Sequence, residues 1–314
     1  RYGIYLYASN NGTIINNNIT TRSTNGGGIT IGLSTRASYN NISGNRLTTF
    51  SGDVRGMIYI TSNSNLNNII NNNISSAINA RSGITIGGGT LNTIFNNTIS
   101  LAVASCMGNY GGILLSGLST NNTIITNNTI VATGATGCGV GFDSAGLNNT
   151  FVGNQVNSSQ GQSYVLYGTV ISNYNQSIDK SNLAEGKPVN YTFNGQNILI
   201  ANNDSFGQVI CGWCNNVTYT NITVNEGDGI NLFYTQNSTV NYSTINTSKG
   251  YGVYAYQFSY GNNISNNNIN TTGATGYGIF LFTNVNYTTV SNNYINTTGS
   301  GGHGIYLNTR ANYN

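Results

Sequence analysis

Apolar and polar residues alternate along this chain in short runs broken by Asn, Gly, Ser and Thr. In the stretch from Gly112 to Gly139 the apolar positions are Ile113 and Leu115, then Ile125, then Ile130. Period-two alternation over such runs predicts short β-strands joined by turns, and no run has the length or spacing of a helix. The pattern then restarts. Gly-aliphatic-x-aliphatic starts recur at Gly3, Gly28, Gly56, Gly83, Gly112, Gly139, Gly229, Gly252, Gly278 and Gly304. Outside one central gap they lie roughly 23 to 29 residues apart, a solenoid spacing.

Each unit carries a second signature: an apolar residue, Asn three residues on, and an apolar residue two further. It reads Ile14/Asn17/Ile19, Ile42/Asn45/Leu47, Ile69/Asn72/Ile74, Ile94/Asn97/Ile99, Ile125/Asn128/Ile130 and Phe151/Asn154/Val156, and resumes as Ile264/Asn267/Ile269 and Val290/Asn293/Ile295. Stacked coils of parallel strands explain it. The flanking aliphatics point inward and meet their equivalents about 4.8 Å above and below. The Asn takes the corner, where its amide donates to one neighbour and accepts from the other, forming an asparagine ladder. In two coils the expected corner residue is not Asn: Thr220 between Val217 and Ile222, and Ser243 between Val240 and Ile245. The fold class expected is all-β, a single parallel β-helix of roughly a dozen coils over 1–314.

Composition sharpens this reading. Asn outnumbers even the 41 Gly, yet the regular phasing of aliphatics and the 11% aromatic content argue against disorder. Only 5% of residues are charged and the net charge is +3 without a basic stripe, so nucleic acid is not an expected partner. No apolar run approaches the roughly 20 residues of a membrane-spanning helix, and none is expected to insert. Residue 1 already lies within a repeat, so any secretory signal is expected outside this segment.

The central gap contains Ile178-Asp179-Lys180-Ser181-Asn182-Leu183-Ala184-Glu185-Gly186-Lys187-Pro188-Val189-Asn190-Tyr191, followed by Gly207-Gln208-Val209-Ile210. This segment, set among the repeats, resembles the pectin-lyase-like parallel β-helix repeat proteins, and among them the NosD-like and carbohydrate-associated β-helix surface proteins. Asn190 stands where that group usually has Tyr. The resemblance implies a right-handed helix and a place on a cell surface. The gap reads as an irregular excursion at about 172–206, with the repeat resuming at Val209.

Candidate chemistry is sparse. Gly302-His303-Gly304 matches the Gly-His-Gly of polygalacturonases, but equivalent units read Gly276-Tyr277-Gly278 and Gly137-Cys138-Gly139, so His303 reads as a variable residue before a coil start. The carboxylates are Asp53, Asp143, Asp179, Glu185, Asp204, Glu226 and Asp228, of which Glu226 and Asp228 are the nearest pair. A glycosidase needs two carboxylates across a scissile bond and a calcium site several acidic oxygens, so no catalytic residue, metal or cofactor is expected. Among the cysteines, Cys106 and Cys138 fall in the closing links of consecutive coils, and Cys211 and Cys214 flank one turn. The expected disulfides are Cys106–Cys138 and Cys211–Cys214, although four cysteines admit other pairings. Such bridges fit an extracellular or cell-surface location.

The outward positions of the coil starts are aromatic at both ends of the chain: Tyr5 and Tyr7, then Phe233, Tyr254, Tyr256, Phe280, Phe282 and Tyr306. Stacked on neighbouring coils they would form a contact patch. Sequons at Asn11, Asn121, Asn148, Asn237 and Asn286 are candidate glycan sites if the chain is extracellular. The pattern shows no capping segment, and open strand edges recruit further strands. The expected role is therefore structural: a subunit or segment of an extracellular fibre, adhesin or surface coat. It would join other copies into a homopolymer, or more coils of a longer chain, through coil ends and aromatic face. The alternative is a β-helix that binds or cleaves glycans, with surface glycans as partners.

Overall fold

The computed structural model describes residues 2–22, 28–50, 55–103, 110–117, 120–134, 137–159, 161–201, 204–225 and 229–314. The chain divides into two compact units, Arg1–Asn182 and Leu183–Asn314. Each is a parallel β-solenoid whose coils carry three short strands, one on each of three faces. Among the described residues the single helical segment is the 3-10 turn Ile171–Tyr174, and no helix is long and apolar enough to cross a membrane.

In the first unit, face one is the seven-stranded sheet running from Tyr2–Tyr7 through Ile29–Ser34, Ile58–Ile60, Ser82–Ile86, Gly111–Ser116 and Val140–Asp143 to Tyr164–Tyr167. Face two starts at Thr13–Ile15 and ends at Ser177–Ile178, and face three runs from Asn18–Thr21 to Gln155–Ser158. Register places like on like. Ile14, Ile42, Ile69, Ile94, Ile125 and Phe151 form one buried column, and Leu47, Ile74, Ile99, Ile130 and Val156 another. Each fully buried aliphatic contributes about 1.5–3 kcal/mol by leaving water, so the sequence triads are the core.

The recurrent glycines have a local cause. A Cβ on Gly83, Gly112, Gly139, Gly252 or Gly278 would run into the inward Ile or Val of face three in its own coil and the backbone of the following coil. The chain enters face one at these points with no room for a side chain.

In the second unit the faces begin with Lys187–Phe193, Leu199–Ile200 and Ser205–Phe206 and end with Ile305–Asn308, Thr289–Ser291 and Tyr294–Thr297. Its first element is an antiparallel hairpin in which Leu183–Ala184 pairs with Lys187–Phe193. Glu185 and Gly186, at φ 51° and 78°, make the turn. Regular parallel pairing starts at once, Val189 with Gln208 and Tyr191 with Ile210. Parallel pairing therefore already holds within the expected excursion: Lys187–Phe193, Leu199–Ile200 and Ser205–Phe206 each pair with the following coil, although this coil lacks a glycine start and the Asn signature. The Glu185 carboxylate, at the hairpin turn, pairs with Lys249 at 2.7 Å.

One coil is phased differently from the expectation. Tyr219, not Val217, pairs with Val240, and Val224, not Ile222, pairs with Ile245. The Ile222 N–H donates to Ser243 Oγ at 3.3 Å, so Ile222 and not Thr220 holds the corner. Ile222 and Val217 are apolar corner residues, and their burial mimics the inward pattern.

Candidate functional site

The asparagine ladder is continuous through the first unit. The backbone N–H of Asn17 donates to Asn45 Oδ1, Asn45 to Asn72, Asn72 to Asn97, Asn97 to Asn128, and Asn128 to Asn154, at 2.9–3.0 Å. Asn154 continues it to Asn182, a rung inside the excursion. In the second unit Ser243 donates to Asn267 and Asn267 to Asn293. Except at Asn182, the residue before each ladder position is left-handed, Asn16, Asn71, Asn96, Asn127, Asn266 and Asn292 among them. Asn tolerates that conformation better than most residues, which explains the Asn-Asn pairs.

A second ladder, at the opposite end of face two, was not evident from the sequence signature. Gly12 donates to Asn40 Oδ1, Asn40 to Asn67, and Asn67 to Asn92 at 2.7–3.0 Å; Thr123 donates to Asn149 and Asn149 to Gln176 Oε1. Its members stand five residues before the first ladder (40/45, 67/72, 92/97, 149/154), the spacing that would have revealed them. Between Asn92 and Thr123 the side-chain ladder breaks, leaving Asn92 Nδ2 and Thr123 Oγ1 buried without partners.

Cys211 and Cys214 are bridged as expected, both buried, around left-handed Trp213. Cys138 is buried and disulfide-bonded; its expected partner Cys106 lies outside the described residues, as do Asp53, Glu226 and Asp228. Of the sequons, Asn11, Asn148 and Asn237 are exposed at left-handed corners. Asn121 and Asn286 are half-buried, and their Oδ1 atoms accept the backbone N–H of Leu147 and Asn312.

The aromatic residues divide between the units. In the first, the Tyr2 and Tyr5 rings stack 4.2 Å apart and Tyr7 lies 6.2 Å from Tyr5. All three are exposed. Further along face one, Arg55, Tyr59, Arg81, Thr85, Gly87, Leu114 and Ser116 line a recess of about 250 Å³. Arg81 lies over the Tyr110 ring at 5.4 Å. Burial raises the Asp143 pKa, opposed by a long 3.4 Å hydrogen bond from Ser116.

In the second unit, register brings three aromatic columns together on face one and its approach. Tyr254, Phe280 and Tyr306 stack at 5.2 Å with interplanar angles of 16° and 20°. Tyr256 stacks on Phe282 at 5.4 Å and 13°, and Tyr251 on Tyr277 at 5.4 Å and 12°. Phe233 meets Tyr254 edge-on, while His303 extends the outer column over Tyr277 and Tyr306. The rings cover one another: Phe233, Tyr256 and Phe280 are buried, and Tyr254, Phe282 and Tyr306 half-buried. This is less exposed than outward alternation alone suggests. Desolvation, and then the neighbouring Tyr277, raise the Tyr251 pKa. Ring face meets ring face from coil to coil, so the faces within each row cover one another.

No family model matches the chain. No curated protein or solved structure matches it either.

Proposed function

We propose that this chain is a structural segment of a secreted or cell-surface protein, a fibre, adhesin or surface coat that assembles through coil faces and its aromatic surface. The observation that carries the reading is the stacking of the second unit's rings. A saccharide platform needs open ring faces, whereas these columns use theirs on each other and reinforce contact between coils. The Cys211–Cys214 bridge supports an oxidising compartment. The likeness to pectin-lyase-like and NosD-like surface proteins, drawn from the 178–191 segment, points the same way. Head-to-tail contacts do not close on themselves and would build filaments. The test is electron microscopy with light scattering over a concentration series, where elongated assemblies are expected. A monodisperse monomer at every concentration would reject the reading.

A second reading, glycan binding, is favoured by the Arg55–Tyr59–Arg81 recess of the first unit, whose chemistry suits an acidic saccharide. Calorimetry with acidic and neutral oligosaccharides, and with Arg55→Ala, separates it from the first. No cleavage of polygalacturonate, alginate or neutral glycans is expected; turnover lost in His303→Ala would overturn this.

A further inference from the structure

The second unit carries another aromatic row, at the corner between its faces one and two. Tyr260, Tyr287 and Tyr313 come from three successive coils. The ring centroids of Tyr260 and Tyr287 lie 5.0 Å apart, and those of Tyr287 and Tyr313 also 5.0 Å, the latter pair nearly parallel at 14°. All three are exposed, at 46%, 51% and 77%. Tyr287 and Tyr313 sit at left-handed corner positions, φ 54° and 56°. The coils are held by parallel bridges, Tyr260 with Asn286 and Asn286 with Asn312. The phenols are therefore fixed in proximity by the backbone while their rings remain open to solvent.

We propose that Tyr260, Tyr287 and Tyr313 form an oxidative cross-linking site at which neighbouring phenols are joined ring to ring as dityrosine, tying successive coils together covalently. The co-reactant is a peroxide, used through a haem peroxidase. Each phenol loses one electron and its hydroxyl proton to become a phenoxyl radical. Two radicals pair through the carbons ortho to oxygen, and each of those carbons then passes its hydrogen, as a proton, to its own oxygen. In balance, two tyrosines and one hydrogen peroxide give one dityrosine and two waters. The reaction needs access for the oxidant, an outlet for the proton and a second ring within reach. The corner row supplies all three. Tyr251 and Tyr277 also stack, but that pair lies in the more covered outer column of face one. Tyr2 and Tyr5 belong to one strand, so coupling them would tie no coils together. Tyr242 serves as a control: it is 63% exposed, with no ring against it among the described residues.

The site is independent of filament formation and can be tested on dilute protein. The chain is treated with peroxidase and hydrogen peroxide under conditions that couple free N-acetyltyrosine, and the monomer band is recovered. Trypsin cleaves after Lys249 and Arg310, placing Tyr260 and Tyr287 in one peptide and Tyr313 in the peptide that starts at Ala311. The expected products are the Ala311 peptide joined to the 250–310 peptide through Tyr287, and a 250–310 peptide lacking two hydrogens with the link mapped to Tyr260 and Tyr287. Tyr287→Phe, which keeps the ring stack, should abolish both links, whereas Tyr242→Phe should leave both in place. Absence of both links, their persistence in Tyr287→Phe, or coupling only between molecules would overturn the proposal.

Discussion

The break between Asn92 and Thr123 can be repaired by one substitution. Where the donor in the second ladder is Asn, the corner oxygen receives two bonds from it; that of Asn92 accepts the Asn67 N–H at 3.0 Å and Asn67 Nδ2 at 3.1 Å. Thr123 provides no such oxygen, so Asn92 Nδ2 is stranded, and its own Oγ1 is stranded too, both residues being fully buried. Thr123→Asn places a carboxamide oxygen opposite the Asn92 donors. The new amide nitrogen then faces Asn149 Oδ1, which already accepts the residue 123 backbone N–H at 2.9 Å. An unsatisfied buried polar group costs about 1–3 kcal/mol, and ordering a longer side chain offsets part of the gain, so the net stabilisation should be about 1–2 kcal/mol. The corner has room in principle, since Asn40, Asn67, Asn92 and Asn149 fill the same position in other coils. Urea unfolding read by linear extrapolation measures the change. Thr123→Val, which removes the stranded hydroxyl but gives Asn92 nothing, should gain less. Loss of stability in Thr123→Asn, or an equal gain in Thr123→Val, would refute the ladder argument.

Asn128→Ala should cost about 2–4 kcal/mol in the same assay, because it strands the Asn97 N–H and removes bonds from Asn128 Nδ2 to Ile94 O and Asn154 Oδ1. Exposed Asn17 donates but accepts no ladder bond among the described residues, so Asn17→Ala in this chain should cost well under half as much, and equal losses would contradict this. Burial raises the Asp143 pKa above its unfolded value, so its contribution is most favourable when protonated and is lost as pH rises from the ordinary carboxylate range through the raised folded value. Asp143→Asn should therefore melt above the parent near neutral pH, with the difference shrinking in acid; a constant difference across pH would exclude the effect.

Most of the first unit was legible because its inward columns are aliphatic and its corners Asn, two signals that keep phase from coil to coil. The coil at Val217–Val224 was not. Val217, Tyr219, Ile222 and Val224 are all apolar, and only pairing with Val240 and Ile245 shows which two point inward. The coil opening at Lys187 was hidden by its hairpin, which replaces the glycine start. Alternation identified the outward aromatics, but their mutual coverage depends on register: Phe280 is buried because Tyr254 and Tyr306 lie directly beneath and above it. The Arg55–Arg81 recess escaped notice because its residues come from separate coils with no shared local motif.

The ladders also have a sense. In every rung from Asn17 to Asn182, and again from Ser243 to Asn293, the donor lies in the earlier coil and the carboxamide oxygen in the later one. The amides form aligned chains in which each bond can polarise the next, so within each unit the stack is a vector, like a row of arrows. Opposite coil faces are chemically unequal: one offers carboxamide oxygens, the other N–H groups. Two copies meeting by matching faces would set acceptor against acceptor or donor against donor. Contact in the same sense extends the chain of amides, so growth by added coils has a built-in direction.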